Sequence, residues 1–283
     1  MCGIAGLLFA SGSGPVGEYL ITMLRALQHR GTDSTGAAIY RDNGKSRDLI
    51  LRVLAEDVVG ALAKISSAIA SVGGNIRNVE MNVSIKEGYG YDRYEVAYNG
   101  NIRRLVEAVE GTRIAKIISV GRYVEILKDT LPVDEFNSTF KVFKMQGSHG
   151  LGHIRFSTES RVDLFHAHPF QDIDNPDIVV VHNGQITNYW KIRRTLEMKG
   201  VRFLTDNDSE LIVHYIAYKM SKGMNFEDAL KCSIRELDGP FAYMIATPDA
   251  LGLVRDKLGL RPLVMGVSEE VLVGASEEGA SKQ

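Results

Sequence analysis

The sequence predicts an α+β protein in which stacked β-sheets carry helical cover and a smaller βαββαβ module is inserted into the main domain. Three observations carry this expectation. Beyond residue 150, short apolar strands bunch together with amphipathic helices grouped between them, which suits packed sheets better than a strictly alternating parallel sheet. Residues 49–122 have another rhythm, strand–helix–strand–strand–helix–strand, the split-βαβ order that can fold as a unit of its own. The length, 283 residues, suits one large domain or two smaller ones. The expected division is 1–48 with 123–283 for the main domain and 49–122 for the insert.

The elements follow in order. Residues 2–9, CGIAGLLF, are apolar, glycine-punctuated and too short for a helix, so they make a buried strand. Gly14 and Pro15 break it, and residues 16–27 place Tyr19, Leu20, Met23, Leu24 and Leu27 at helical spacing. Gly31 then stands where a left-handed helix cap is wanted. A strand follows at 35–40. In the insert, strands are expected at 49–54, 75–84, 94–98 and 114–120, and helices at 59–72 and 102–109. Residues 123–147 read as a connection. The second half carries strands at 152–157, 178–182, 241–247, 251–255, 263–267 and 271–274, with helices at 188–199, 208–220 and 225–237.

Composition narrows the function. The charges nearly cancel, 33 Lys+Arg against 35 Asp+Glu, which argues against a nucleic-acid binder. No apolar run reaches the roughly 18–20 residues that span a bilayer, and the N-terminus lacks the basic start of a signal peptide. Cys2 and Cys232 allow one disulfide at most, so the expectation is a cytoplasmic chain with reduced thiols and no membrane partner. Five histidines between residues 149 and 182 raise a metal site, but without an HExxH pair or a cysteine ligand pair the expectation is no metal. Cys232, mid-helix between Leu230 and Ile234, reads as a small buried apolar residue.

Cys2 is the oddity. Once Met1 is removed it offers a thiol beside a free α-amine, and an α-amine titrates near pH 7.7–8. Such an amine can act as general base for its own side chain. Around it stand further blocks: CGIAG at 2–6, QHRGTDS at 28–34, GHIRFST at 152–158, HAHP at 166–169, HNG at 182–184 and NDSE at 207–210. Taken singly, HNG reads as an Asn-Gly hairpin turn, NDSE as a helix cap and Arg155 as a salt-bridge partner.

Together and in order, these blocks resemble the class II glutamine amidotransferase domain, an N-terminal-nucleophile (Ntn) hydrolase with a four-layer αββα sandwich. The resemblance spans residues 1–40 and about 147–275. It implies hydrolysis of L-glutamine to glutamate and ammonia through a thioester on Cys2. By position it assigns Asn183 and Gly184 to the oxyanion hole, Arg155 to the substrate carboxylate with Thr158 in support, and Asp208 to the substrate ammonium. Arg30 and His168 match motif positions near the pocket. In the insert, DVVGALA at 57–63 and VGGNI at 72–76 are similar to the ACT regulatory domain. That likeness implies an amino-acid effector near Gly60, Gly73 and Asn75, the other reading being an inert ferredoxin-like decoration.

The chain ends soon after VGASE at 273–277, so ammonia is expected to pass to a separate synthase subunit. VEILKD at 124–129 and GSHG at 147–150, with TES at 158–160, lean toward the archaeal-type glutamate synthase amidotransferase subunit. On that likeness no cofactor is expected in this chain, and flavin or iron–sulfur belongs to the partner. RDKLGLRPL at 255–263 resembles both amidophosphoribosyltransferase and glutamate synthase relatives, so a purine-type amidotransferase is the alternative, and a non-catalytic amino-acid-sensing regulator is another.

Overall fold

A computed structural model describes residues 2–41, 48–81, 88–157 and 161–282. The chain divides into two compact units, Met1–Asp42 with Leu127–Gln283, and Asn43–Ile126. No helix among the described residues is long and apolar enough to cross a membrane.

The main unit is built on two sheets. In the first, the strands run in the order Val264–Val267, Val271–Ala275, Gly3–Phe9, His149–Arg155, Ser34–Tyr40 and Val124–Asp129. The second runs Ala250–Arg255, Phe241–Thr247, Val179–Gly184 and Phe170–Gln171. Period-two alternation explains how each sheet is covered on both faces. In the first strand, Ala5, Leu7 and Phe9 join the core under the helix Val16–Leu27, whose own apolar stripe includes Leu20, Leu24 and Leu27. The alternate residues face the second sheet. There Val180, Phe241, Tyr243 and Ile245 pack under helices Tyr189–Glu197, Asp208–Ser221 and Phe226–Glu236. The layers are therefore helix, sheet, sheet, helix.

The insert is a four-stranded antiparallel sheet, Asn75–Glu80, Tyr89–Ala97, Leu49–Glu56 and Ala115–Gly121, with helices Ala61–Ser71 and Ile102–Glu110. The first strand lies between the third and fourth, which is the expected split-βαβ order. Within this unit Glu125 is buried and accepts from both Arg52 and Arg93. Burial opposes its charge, yet the two guanidiniums hold its carboxyl below the ordinary range.

Two local expectations need correction, and one short strand was not expected. Residues 123–147 are more than a connection, since they hold the strand Val124–Asp129 and the helix Val133–Phe140. The two-residue strand Phe170–Gln171 is too short to show any periodicity in sequence. Gly31 is extended at φ 176°, not a left-handed cap. Its lack of a side chain matters for space: a Cβ there would lie 2.3 Å from the Arg155 carbonyl oxygen.

Candidate active site

Cys2 leads into the first strand, and long-range bonds hold that strand at its start. Ile4 donates to Ser276 Oγ at 3.0 Å and accepts from Ser276 N at 2.9 Å. Arg30 Nε donates to the Cys2 carbonyl at 2.9 Å, and its Nη1 pairs with Glu277. The Cys2 thiol donates to the Phe156 carbonyl at 3.6 Å. Burial pushes the thiol pKa up, against that hydrogen bond and the positive charges of Arg155 and Arg30.

Register places the other groups. Gly3 pairs with Ile154, so Cys2 comes level with Arg155 at the end of the neighbouring strand. Arg155 is buried, with Nη1 on the Arg161 carbonyl at 2.7 Å and Nη2 on Ser157 Oγ at 3.4 Å. Asp33 braces the turn after it, donating its N–H to the Arg155 carbonyl and accepting from Ser157 N at 2.6 Å. Thr158 lies outside the described residues.

Across the sandwich, His153 Nε2 meets the His182 carbonyl at 3.0 Å and ties the ends of the two strands together. Asn183 and Gly184 follow directly. The pattern of their sheet decides where they point. Gln185 N donates to the Pro240 carbonyl, so odd-numbered residues of this strand bond to the strand Phe241–Thr247. Even-numbered residues aim their N–H and C=O at the other edge. There Phe170–Gln171 covers only Val179 and Val180. The Gly184 N–H therefore faces an edge the short strand does not reach. Asn183 lies on the face toward the first sheet, and its Nδ2 is buried with no hydrogen-bond partner among the described residues. Gly184 needs to be glycine: its φ is 148°, and a Cβ would lie 2.2 Å from the Pro240 carbonyl oxygen.

Asp208 opens its helix, but the cap is Asn207, whose Oδ1 accepts from Ser209 N at 2.9 Å. Asp208 Oδ2 accepts from Ile186 N at 2.8 Å, and Ser209 Oγ bridges Asp208 Oδ1 and His182 Nδ1. Asp208, Gly184, Trp190 and Arg261 share the wall of an open cleft of about 530 Å³. Asp208, Arg261 and Gly184 thus share one cleft wall, and Asn183, with its unpartnered Nδ2, directly precedes Gly184.

Arg30 and His168, expected in supporting roles near the pocket, have these places in the structure. Arg30 anchors the Cys2 backbone. His168 is buried between the sheets, stacked on His153 at 3.8 Å between centroids, and is absent from the cleft wall. Burial lowers the pKa of His153 to about 3 and that of His168 well below its ordinary value. Among the described residues, no group of three or more His, Cys, Asp or Glu side chains is arranged to hold a metal.

Sequence reasoning missed the support of the Asp208 loop. Glu210 accepts from Leu204 N, Thr205 N and Thr205 Oγ1 at 2.6–2.7 Å, while His214 bridges Glu210 and Asp172. Burial opposes the His214 charge, but the two carboxylates lift its pKa to about 9. The i, i+4 spacing of Glu210 and His214 was the available signal.

In the insert, a cavity of about 500 Å³ is lined by Glu56, Asp57, Gly60, Leu62, Tyr89 and Asp92 among others. Gly60 precedes the helix at φ 84°. Gly73 and Asn75 do not line this cavity, because they turn the chain at the far end of the same helix.

Comparisons with known proteins show the family. A family model described as a glutamine amidotransferase domain matches residues 155–282, and one described as an ACT domain matches 49–112. A putative glutamine amidotransferase of Methanothermobacter thermautotrophicus is 42% identical, over 98% of this chain and 92% of that protein. A glutamine amidotransferase-like protein of Rhizobium meliloti is 32% identical, over 98% of this chain and 89% of the relative. The amidophosphoribosyltransferase of Methanocaldococcus jannaschii is 31% identical, over 68% of this chain and 41% of its own length. Among solved structures, the glutamine phosphoribosylpyrophosphate amidotransferase of B. subtilis superposes with a TM-score of 0.60 at 20% identity, over 99% of this chain and 42% of that one.

Proposed function

The chain belongs to the class II glutamine amidotransferases and has their Ntn-hydrolase fold, and from that membership we propose how its residues divide the work. With Met1 removed, the α-amine of Cys2 takes the thiol proton as Sγ attacks the side-chain carbonyl carbon of glutamine. Asn183 Nδ2 and Gly184 N–H receive the oxyanion. The C–N bond then breaks, the amine returns the proton to the leaving nitrogen, and ammonia departs from a thioester. Water hydrolyses the thioester to glutamate and restores the thiol. Arg155 and Asp208 bind the α-carboxylate and α-ammonium, which selects free glutamine over protein amides. The observation that carries this is Asn183 Nδ2, a buried donor with no partner among the described residues, at a strand end tied to the one bearing Arg155.

The test pairs mass with activity. Intact mass should show Met1 absent, and a glutamine-mimicking diazoketone should label Cys2 once. Cys2→Ala should lose both labelling and glutaminase activity. Activity surviving in Cys2→Ala, or full activity with Met1 retained, overturns the assignment.

For the ammonia acceptor we propose a separate synthase subunit, glutamate synthase, supported by the segments at 124–129 and 147–150. Identity to an amidophosphoribosyltransferase favours the purine-type alternative. Co-purification of the partner, followed by assay of glutamine-dependent product, separates the two. For the ACT domain we propose amino-acid binding in the acidic cavity around Gly60, Asp57 and Asp92, read out as a thermal shift that Asp57→Asn removes.

A further inference from the structure

The strand that ends in Asn183 and Gly184 has a structural weakness. Its even-numbered residues present their backbone groups to an edge where the neighbouring strand Phe170–Gln171 has already ended. His182 is the first of these beyond Val180. Its carbonyl belongs to a non-hydrogen-bonded pair with Tyr243, so the sheet offers it no donor. A buried carbonyl in that position would be left unsatisfied. The structure supplies a donor from the other sheet: His153 Nε2 at 3.0 Å. A carbonyl can only accept, so the proton of this neutral imidazole stands on Nε2.

The ring of His153 is itself held. It stacks on His168 at 3.8 Å and 14°. The backbone on either side of His168 is fixed by the buried Lys128, whose Nζ donates to the carbonyls of Ala167 at 2.9 Å and Pro169 at 3.4 Å. His168 also meets Phe170 edge-on at 4.9 Å. These bonds and stacks make a continuous rigid support from Lys128 through His168 and His153 to the His182 carbonyl. The same peptide unit carries the N–H of Asn183, and the next one carries the N–H of Gly184.

We propose that His153 is a positioning residue of the glutaminase reaction: it replaces the missing strand at the His182 carbonyl and so fixes the direction of the two oxyanion donors that follow. The inference rests on Asn183 and Gly184 being those donors. It gives a buried residue of the sandwich interior a part in turnover without contact with the substrate.

The test compares His153→Phe, which keeps a ring but no donor, His153→Asn, which is too short to reach, and His153→Gln, whose amide can donate to the same carbonyl. Steady-state glutaminase kinetics should show kcat reduced about tenfold to a hundredfold in His153→Phe and His153→Asn, with KM for glutamine nearly unchanged. His153→Gln should recover most of the lost kcat. If His153→Phe does not fold, the comparison of Asn with Gln carries the test. Wild-type kcat in His153→Phe or His153→Asn overturns the proposal, as does a Gln variant no better than Asn. Asn183→Ala, measured alongside, separates the two levels. If Asn183→Ala keeps its kcat, the oxyanion assignment fails. If it loses kcat while the His153 variants do not, only the positioning role fails.

Discussion

The guanidinium of Arg30 donates from Nε to the backbone carbonyl of Cys2 at 2.9 Å, while its Nη1 pairs with Glu277. The residue that bears the thiol is thus held through its main chain. Arg30 comes from the turn after the first helix and Glu277 from beyond the last strand, so three distant stretches of chain meet at Cys2.

Arg30→Leu should therefore damage rate more than binding. Loss of the donor leaves the Cys2 carbonyl underserved, at a cost of about 1–3 kcal/mol in stability. A nucleophile released from its geometry should lose about tenfold or more in kcat. Arg30→Lys restores a charge but not the fork, and should recover stability more than rate. Urea denaturation beside steady-state glutaminase assays checks both.

Asn183→Ala should lower kcat by about 10²–10³ with little change in KM, because the lost donor serves the transition state. A fall in KM-linked binding with intact kcat would contradict the assignment. Gly184→Ala should fail differently. Its Cβ would lie 2.2 Å from the Pro240 carbonyl oxygen, so the strand end must move and the donors with it.

Asp208→Asn removes charge while keeping an acceptor for Ile186 N. A charge-assisted hydrogen bond to the substrate ammonium is worth about 1.5–3 kcal/mol, so KM for glutamine should rise roughly tenfold to a hundredfold. The rate at saturation should change far less. Glutamine analogues lacking the α-amine should discriminate poorly between variant and wild type.

Stability should fall as pH drops below about 6.5, the ordinary histidine value. Burial lowers the folded-state pKa of His149, His153, His168 and His182. Below pH 6.5 the unfolded chain therefore binds more protons than the folded one, each imidazole adding a slope of up to about 1.4 kcal/mol per pH unit. His149→Gln, whose amide can still reach the Thr247 carbonyl, should make the slope shallower by about one proton. His214 behaves oppositely. Its pKa is raised to about 9, so its contribution is complete below pH 6.5 and is lost as pH rises through about 9. Denaturation midpoints across pH 5–9.5 test both limbs, and a flat acid limb would count against buried neutral imidazoles.

Much of this protein was written locally. The helical spacing of Leu20, Leu24 and Leu27, the alternation in CGIAGLLF and the order of the insert each depend on near neighbours, so periodicity alone reveals them. Cys2 stands out by position, because a cysteine behind Met1 would join a thiol to a free amine once Met1 is removed. What tertiary structure decided depends on distant pairing. Phe170–Gln171 stops two residues short of His182, and that end, invisible in sequence, turns the Gly184 N–H toward an uncovered edge. At the same gap His153 reaches across the sandwich to the His182 carbonyl and stacks on His168. Gly31 is glycine because Arg155, 124 residues onward, passes too close for a side chain. Sequence determined which groups this chain possesses; register between strands far apart in the chain decided which of their donors remain unspent.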